Sequence, residues 1–181
     1  MNQKETTLSA GVRLRARGAR ENASGRFEKT TRLAFDDGWE LPETDRLLRT
    51  EVRLEVPRAA LAWNRSPDLP FDRSINPYRG CEHGCAYCFA RPTHAYLGLS
   101  PGLDFESKLF VKPDAARLLE KELAKPGYEP KTIAIGTNTD PYQPIEARYR
   151  ITRAILEVCV ETQHPVMITT KSDRVLRDSD L

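Results

Sequence analysis

Three cysteines, Cys81, Cys85 and Cys88, lie within eight residues of one another in a C-x3-C-x2-C pattern. Thiols grouped this closely in a reducing compartment indicate a metal site or catalysis, because disulfides are rare there. Gly80 precedes the group and Gly84 lies inside it. Glycine has no Cβ, so both positions allow the backbone to turn tightly around a bulky inorganic group. The loop therefore predicts a metal centre.

Two kinds of metal centre are compatible with this donor set. A [4Fe–4S] cluster usually takes four thiolates, and three would leave one iron open to a small molecule. A structural zinc ion would need a fourth ligand, which His83 or His94 could supply as a Cys3His site. Zinc modules usually bring their ligands in two separated pairs, and the sequence has no second pair. The pattern favours the cluster and leaves zinc as the alternative.

The elements that must position this loop alternate between strands and helices. A helix is predicted from Arg91-Pro92 to Leu97, ending at Gly98. Further along, the sequence predicts a strand at 105–112, a helix at 114–125, a strand at 131–137, a helix at 152–161 and a strand at 165–170. This order predicts an α/β fold with a parallel sheet. Cys159 lies in the second of these long helices, where we expect it to be a small buried residue.

Residues 1–50 differ in composition from the rest of the chain. They are rich in Arg, Gly, Ser and Glu without periodicity, so we expect a basic, largely disordered extension, followed by an extended lead-in at 51–72. Basic residues are concentrated in this extension, at Arg13, Arg15, Arg17, Arg20, Arg26, Lys29 and Arg32. They could contact nucleic-acid phosphates, although a solvated tail is the simpler interpretation.

The overall composition argues against a membrane protein. The 181 residues have a net charge of +2 and a mean hydropathy of −0.56. No apolar run approaches the ~20 residues that a membrane helix needs, and the first residues do not form a secretory signal. The sequence therefore predicts no membrane partner and a cytoplasmic location.

The run SINPYRGCEHGCAYCFARPTHAY resembles the radical S-adenosylmethionine (SAM) superfamily, which shares the cysteine spacing and an aromatic residue, here Tyr87, before the last cysteine. The likeness is to its spore photoproduct lyase-like branch, related to DNA repair photolyases. The runs GTNTDPYQPIE from Gly136 and ITTKS from Ile168 resemble the same branch. The resemblance covers about residues 67–181.

The resemblance implies an enzyme in which Cys81, Cys85 and Cys88 hold a [4Fe–4S] cluster. SAM would bind the open iron, and an electron donor such as flavodoxin or ferredoxin would drive its reductive cleavage to a 5′-deoxyadenosyl radical. The branch suggests lyase or DNA-repair chemistry, with nucleic acid as a candidate partner. Photoproduct lyases use an additional cysteine as hydrogen donor, and no cysteine here matches it. Substrate and catalytic residue therefore stay unassigned.

The resemblance also implies SAM contacts. Tyr87 matches the residue beside the adenine, and Asn138 or Asp140 falls where relatives carry a Gly-Gly-Glu stretch that contacts the methionine ammonium. Lys171 matches a partner for the SAM carboxylate. A turn at Asp140-Pro141 and a solvated Lys171 are equally compatible with the sequence.

Superfamily cores have about six strand–helix units, and each unit takes ~30 residues. Fewer than a hundred residues follow Cys88, so about three units fit. We therefore expect residues 73–181 to form the N-terminal half of a radical SAM barrel in a truncated chain. The alternative function is a non-catalytic, zinc-stabilised module that binds nucleic acid through its basic extension.

Overall fold

The computed structural model describes residues 6–8, 14–28, 31–34 and 46–181. The strands are β1 (Thr6–Leu8), β2 (Leu14–Arg15), β3 (Arg32–Ala34), β4 (Arg46–Leu47), β5 (Glu51–Leu54), β6 (Leu61–Trp63), β7 (Arg73–Ile75), β8 (Tyr78–Arg79), β9 (Lys108–Val111), β10 (Ile133–Ile135) and β11 (Val166–Ile168). The α-helices are α1 (Leu103–Ser107), α2 (Ala115–Leu123), α3 (Glu146–Tyr149) and α4 (Ile151–Glu161), and 3-10 helices span Arg91–Leu97 and Asp173–Asp178. No helix in these ranges is long and apolar enough to cross a membrane.

The chain forms two compact units, each built from two stretches of sequence. The first contains the described residues of Met1–Val52 together with Gly80–Leu109, and the second contains Arg53–Arg79 and Phe110–Leu181. The predicted boundaries near residues 50 and 72 stay predictions. Much of the predicted disordered extension, including Arg13 and Lys29 of the basic cluster, lies outside the described residues.

The second unit contains a four-stranded sheet in the order β11-β10-β7-β6. Strand β10 pairs in parallel with both neighbours, so that Ile135 lies between Ile75 and Ile168, whereas β6 runs antiparallel to β7. Strand β10 is buried along its whole length, as expected for a run of branched apolar residues in the middle of a parallel sheet. The α/β class is confirmed, although the sheets of the described residues are mixed and none closes into a barrel.

The predicted helices beside this sheet are confirmed within a few residues. Helix α2 buries Ala115 and Leu119, and α4 buries Ile155 and Cys159 among others. The two helices contact each other, and α4 connects the parallel strands β10 and β11. Their apolar residues recur at helical spacing, which places them on one buried face.

The segment 105–112, predicted as one strand, is a helix followed by a strand. Residues Leu103–Ser107 form α1, and only Lys108–Val111 is extended. Local polar contacts favour the helical turn: the Asp104 carboxylate accepts the Ser100 amide at 3.0 Å, and the Ser107 hydroxyl donates to the Leu103 carbonyl at 2.7 Å. Short apolar runs do not distinguish these two structures by periodicity.

A buried carboxylate organises the start of α4. Glu146 is fully buried, and its carboxylate accepts the amides of Ile151 and Thr152 at 3.1 Å. It also accepts the Tyr78 hydroxyl and the Arg177 guanidinium. Burial and the neighbouring Glu146 carboxylate raise the pKa of Tyr78 well above its usual range. Glu146 therefore caps the helix and connects three parts of the second unit.

We expect Glu146→Ala to lower the free energy of unfolding by about 3 kcal/mol, because it leaves the buried Tyr78 hydroxyl and two helix amides without their acceptor. Glu157→Ala, which removes only an exposed ion pair with Arg153 on the same helix, is the matched control and should change it by at most about 0.5 kcal/mol. Denaturant unfolding measures both. Equal losses for the two substitutions would contradict the stabilising role of the Glu146 carboxylate at the start of α4.

Burial also shifts the pKa of the Cys159 thiol. This side chain is 3% exposed, and burial raises its pKa to about 11. In an unfolded chain a thiol ionises near pH 8.5. A raised folded-state pKa stabilises the protein below the unfolded pKa, and this stability is lost as the pH rises through the folded one.

Between about pH 8 and pH 11, we therefore expect the wild-type protein to lose about 2 kcal/mol more of its unfolding free energy than Cys159→Ala. Other groups that ionise in this range are common to both proteins, so the difference isolates the thiol. Denaturant unfolding at several pH values measures it. Parallel pH profiles for the two proteins would contradict the assignment.

Candidate functional site

The cysteine loop belongs to the first unit and turns at its two glycines. Gly80 and Gly84 have φ of +74° and +66°, in the left-handed region that other residues rarely adopt. A Cβ at Gly80 would lie 2.7 Å from Leu109 Cδ2 and 2.8 Å from the Phe105 carbonyl oxygen. The Cys81 amide donates to that same carbonyl at 2.9 Å. Glycine is thus required at the entry to the loop.

The three thiols are placed differently within this loop. Cys81 is buried against Ala90 and Phe105, with Cys88 packed beside it, and Cys85 and Cys88 are partly exposed. None of them is in a disulfide. Within the described ranges, no three His, Cys, Asp or Glu side chains are arranged as a set that could hold a metal ion.

Arg91 and Glu106 hold the loop from outside, and the sequence analysis missed both. Arg91 Nε donates to the Cys85 carbonyl at 3.0 Å, and its Nη1 donates to the Pro101 carbonyl at 3.3 Å. Its Nη2 pairs with the Glu106 carboxylate, whose side chain is fully buried. The sequence offers a weak signal for Arg91, which directly follows the loop. Nothing in the sequence indicates its pairing with Glu106.

Aromatic side chains line the surface next to the cysteines. The ring of Tyr87 is 86% exposed and that of Phe89 is 79% exposed. Both residues flank Cys88 in the sequence, so their rings are exposed beside the predicted metal centre. The assignment of Tyr87 to an adenine contact stays a prediction.

His94, a candidate zinc ligand, is part of the interior of the first unit. It is fully buried, its Nε2 lies 3.0 Å from the Lys108 carbonyl, and its ring meets Phe105 edge to face at 5.2 Å. These contacts explain a histidine at this position by packing. His83 is only partly buried, so it is the better of the two candidates for a fourth ligand.

A second polar cluster lies at the carboxyl ends of β7, β10 and β11, in the second unit. Asn76 follows β7, and its side-chain amide donates to Thr137 Oγ1 at 3.1 Å. Its Oδ1 accepts the Asn138 amide at 2.8 Å, and its backbone carbonyl accepts Lys112 Nζ at 3.0 Å. Asn76 thus ties the end of β7 to the end of β10, a role that its place in the SINPY run did not reveal.

Asp140 connects the end of β10 to the end of β11. One carboxylate oxygen accepts the Tyr142 amide at 2.8 Å and the Thr170 hydroxyl at 2.7 Å, and the other accepts the Lys171 amide at 2.9 Å. These bonds support the turn interpretation of Asp140-Pro141. Lys171 contributes its backbone to this contact, and the residue is exposed.

The predicted site residues fall into two groups. Cys81, Cys85, Cys88 and Tyr87 belong to the first unit, whereas Asn138, Asp140 and Lys171 belong to the second. The structure brings Asp140 and Lys171 into direct contact through the Lys171 backbone amide.

Comparisons with known proteins find relatives without an assigned activity. An uncharacterized protein of Mycobacterium tuberculosis and one of Mycobacterium bovis are each 45% identical to the chain over 123 residues. An uncharacterized protein of Methanocaldococcus jannaschii is 34% identical over 107 residues. The matches cover 66% and 59% of this chain, but only 36% and 38% of those relatives, so the chain spans little more than a third of their length. No family model and no solved structure matches.

The close approach at Gly136 gives a test of the strand-end cluster. Gly136 has φ of +91°, and a Cβ there would lie 2.3 Å from the Thr169 carbonyl oxygen. Gly127 has φ of +78° but open space around its Cα. Both Gly→Ala substitutions force a left-handed alanine, so their difference reports the close contacts at Gly136, which include Pro141 Cδ at 2.8 Å as well as the Thr169 carbonyl oxygen.

We expect Gly136→Ala to lower the free energy of unfolding by about 1–3 kcal/mol more than Gly127→Ala. Thermal or denaturant unfolding of the two variants measures this difference. Equal losses would mean that the backbones at the ends of the two strands do not approach as closely as the structure has them.

Proposed function

We propose that the chain is part of a radical SAM enzyme, in which Cys81, Cys85 and Cys88 hold a [4Fe–4S] cluster. The observation that carries this proposal is the C-x3-C-x2-C loop turning at two left-handed glycines, with three thiols that form no disulfide. Three thiolates fit such a cluster and leave one iron for a small ligand. A Cβ at either glycine would collide with neighbouring atoms, so the tight loop depends on both.

When bound, the cluster would supply an open iron site and an electron for reductive cleavage of the SAM carbon–sulfur bond. The chain's own residues would position the reactants. Arg91 fixes the Cys85 carbonyl and thereby the middle of the loop. The exposed Tyr87 ring suits stacking on the flat adenine. The electron would come from a partner such as flavodoxin or ferredoxin.

The strand-end cluster supports a refinement of the predicted SAM contacts. Both Asp140 oxygens already accept protein donors, and these bonds hold the turn together. The Asn138 backbone is fixed by Asn76, and its side chain makes none of these bonds. We therefore assign the methionine ammonium to the Asn138 side chain, and the SAM carboxylate to the exposed Lys171 ammonium.

The finer fold proposal is the N-terminal half of a radical SAM barrel. Three parallel strands, β7, β10 and β11, with polar residues at their carboxyl ends are what such a barrel requires at its active-site face. The substrate stays unassigned, with nucleic acid as the candidate that the resemblance suggests, and the proposed location is the cytoplasm. The zinc-stabilised module is the competing outcome in the experiment that follows.

We expect the wild-type chain, reconstituted without oxygen, to bind about four irons, and Cys85→Ala to bind far fewer, because two thiolates do not hold the cluster. Cys159→Ala, which removes the buried fourth cysteine, is the matched control and should keep the wild-type iron content. Metal analysis and the visible spectrum measure both. Stoichiometric zinc that iron does not replace would favour the structural module instead.

Activity provides a second readout for the same proteins. With SAM and dithionite, the reconstituted chain should release 5′-deoxyadenosine, and Cys85→Ala should release none above background. Cys159→Ala should match the wild type. Iron binding without 5′-deoxyadenosine from the wild-type chain would restrict the proposal to an iron–sulfur protein.

A further inference from the structure

A short segment of the N-terminal region, residues 17–23, runs against the cysteine loop and the residues that follow it. We call this segment the strap. Its contacts lie entirely within the first unit. The Leu103 amide donates to the Glu21 carbonyl at 3.2 Å, and the Asp104 amide donates to Asn22 Oδ1 at 3.3 Å. The strap is thus tied to the start of α1 through its backbone and a side chain.

The strap and the cysteine loop cross at two glycines. A Cβ on Gly18 would lie 1.8 Å from the Gly84 carbonyl oxygen, far inside van der Waals contact. A Cβ on Gly84 would lie 2.7 Å from Arg17 Cβ and 2.9 Å from the Gly18 nitrogen. Gly84 is the residue before Cys85. The two backbones therefore touch next to Cys85, at the end of the C-x3-C segment, and any side chain at either position would separate them.

Two buried carboxylates fix this crossing from both sides. Glu106 accepts the Gly18 amide at 2.8 Å and the Ala19 amide at 2.9 Å, and the same carboxylate pairs with Arg91. Glu82, the residue after Cys81, accepts Arg17 Nη2 at 2.9 Å. Its side chain is only 6% exposed, so it needs such donors.

We infer that the strap holds the cysteine loop in its closed conformation, and that Arg17 and Gly18 are the positioning residues for this. The Arg91–Glu106 pair links the Cys85 carbonyl to the strap backbone. Arg17 links the strap to Glu82, directly after Cys81. The inference deepens the proposed function, but the closure of the loop is measurable without any metal.

Thiol reactivity in the metal-free full chain tests this closure. Cys81 is 6% exposed, so its alkylation by iodoacetamide requires opening of the loop. Removal of a hydrogen bond to a charged group raises an opening equilibrium about tenfold. We therefore expect Arg17→Ala and Gly18→Ala to raise the Cys81 alkylation rate about tenfold, measured by mass spectrometry of its peptide.

Two control variants separate positioning from general damage. Arg20→Ala removes an exposed arginine of the strap and should leave the rate unchanged. Arg17→Lys keeps the charge beside Glu82 and should restore most of the wild-type protection. The alkylation rate of buried Cys159, in the second unit, reports global unfolding in each protein. If Gly18→Ala unfolds the chain, the Cys81 alkylation rates of Arg17→Ala, Arg17→Lys and Arg20→Ala still test whether the strap holds the loop closed.

Equal Cys81 rates in Arg17→Ala, Arg20→Ala and the wild type would overturn the inference. A second readout uses the reconstituted protein, in which Arg17→Ala should lose iron to a chelator several-fold faster than Arg20→Ala. If the wild-type chain takes up no iron, the proposed function fails while the thiol result still decides the role of the strap. The two failures are therefore distinguishable.

Discussion

Each unit is held together by a buried carboxylate that needs several hydrogen-bond donors at once. Glu106 collects two strap amides and Arg91, and Glu146 collects two helix amides, Tyr78 and Arg177. Removing an anion from water is costly unless charged and hydrogen-bonding partners replace the lost hydration. Each carboxylate therefore holds several distant segments in one geometry. Displacing one of these segments would disturb the others that share the carboxylate.

The cysteine loop is held by its backbone and by residues around it. Arg91 binds a backbone carbonyl of the loop, Phe105 accepts the Cys81 amide, and the strap crosses at Gly84. This arrangement constrains the path of the chain through the loop. For the proposed cluster a fixed backbone would be an advantage, because less order would have to be imposed on binding.

Polar groups at the strand ends of the second unit hold neighbouring strands together. Asn76 and Asp140 connect the ends of three parallel strands, and their bonds set the positions of Asn138 and Lys171. Ligand sites on parallel sheets gather at this edge because loops from neighbouring strands meet there.

The sequence by itself determined the spacing of the thiols, the need for glycine beside them and the α/β order of the second unit, because these follow from local patterns. Helices α2 and α4 carried clear periodicity and β10 a run of branched apolar residues, whereas residues 105–107 carried neither, and local polar bonds made them helical. Only the tertiary structure paired Arg91 with Glu106, placed Gly18 against Gly84 and joined Asp140 to Lys171. These partners lie at least 15 residues apart in the sequence, and some of them meet through backbone atoms. Side-chain patterns carry no information about such contacts.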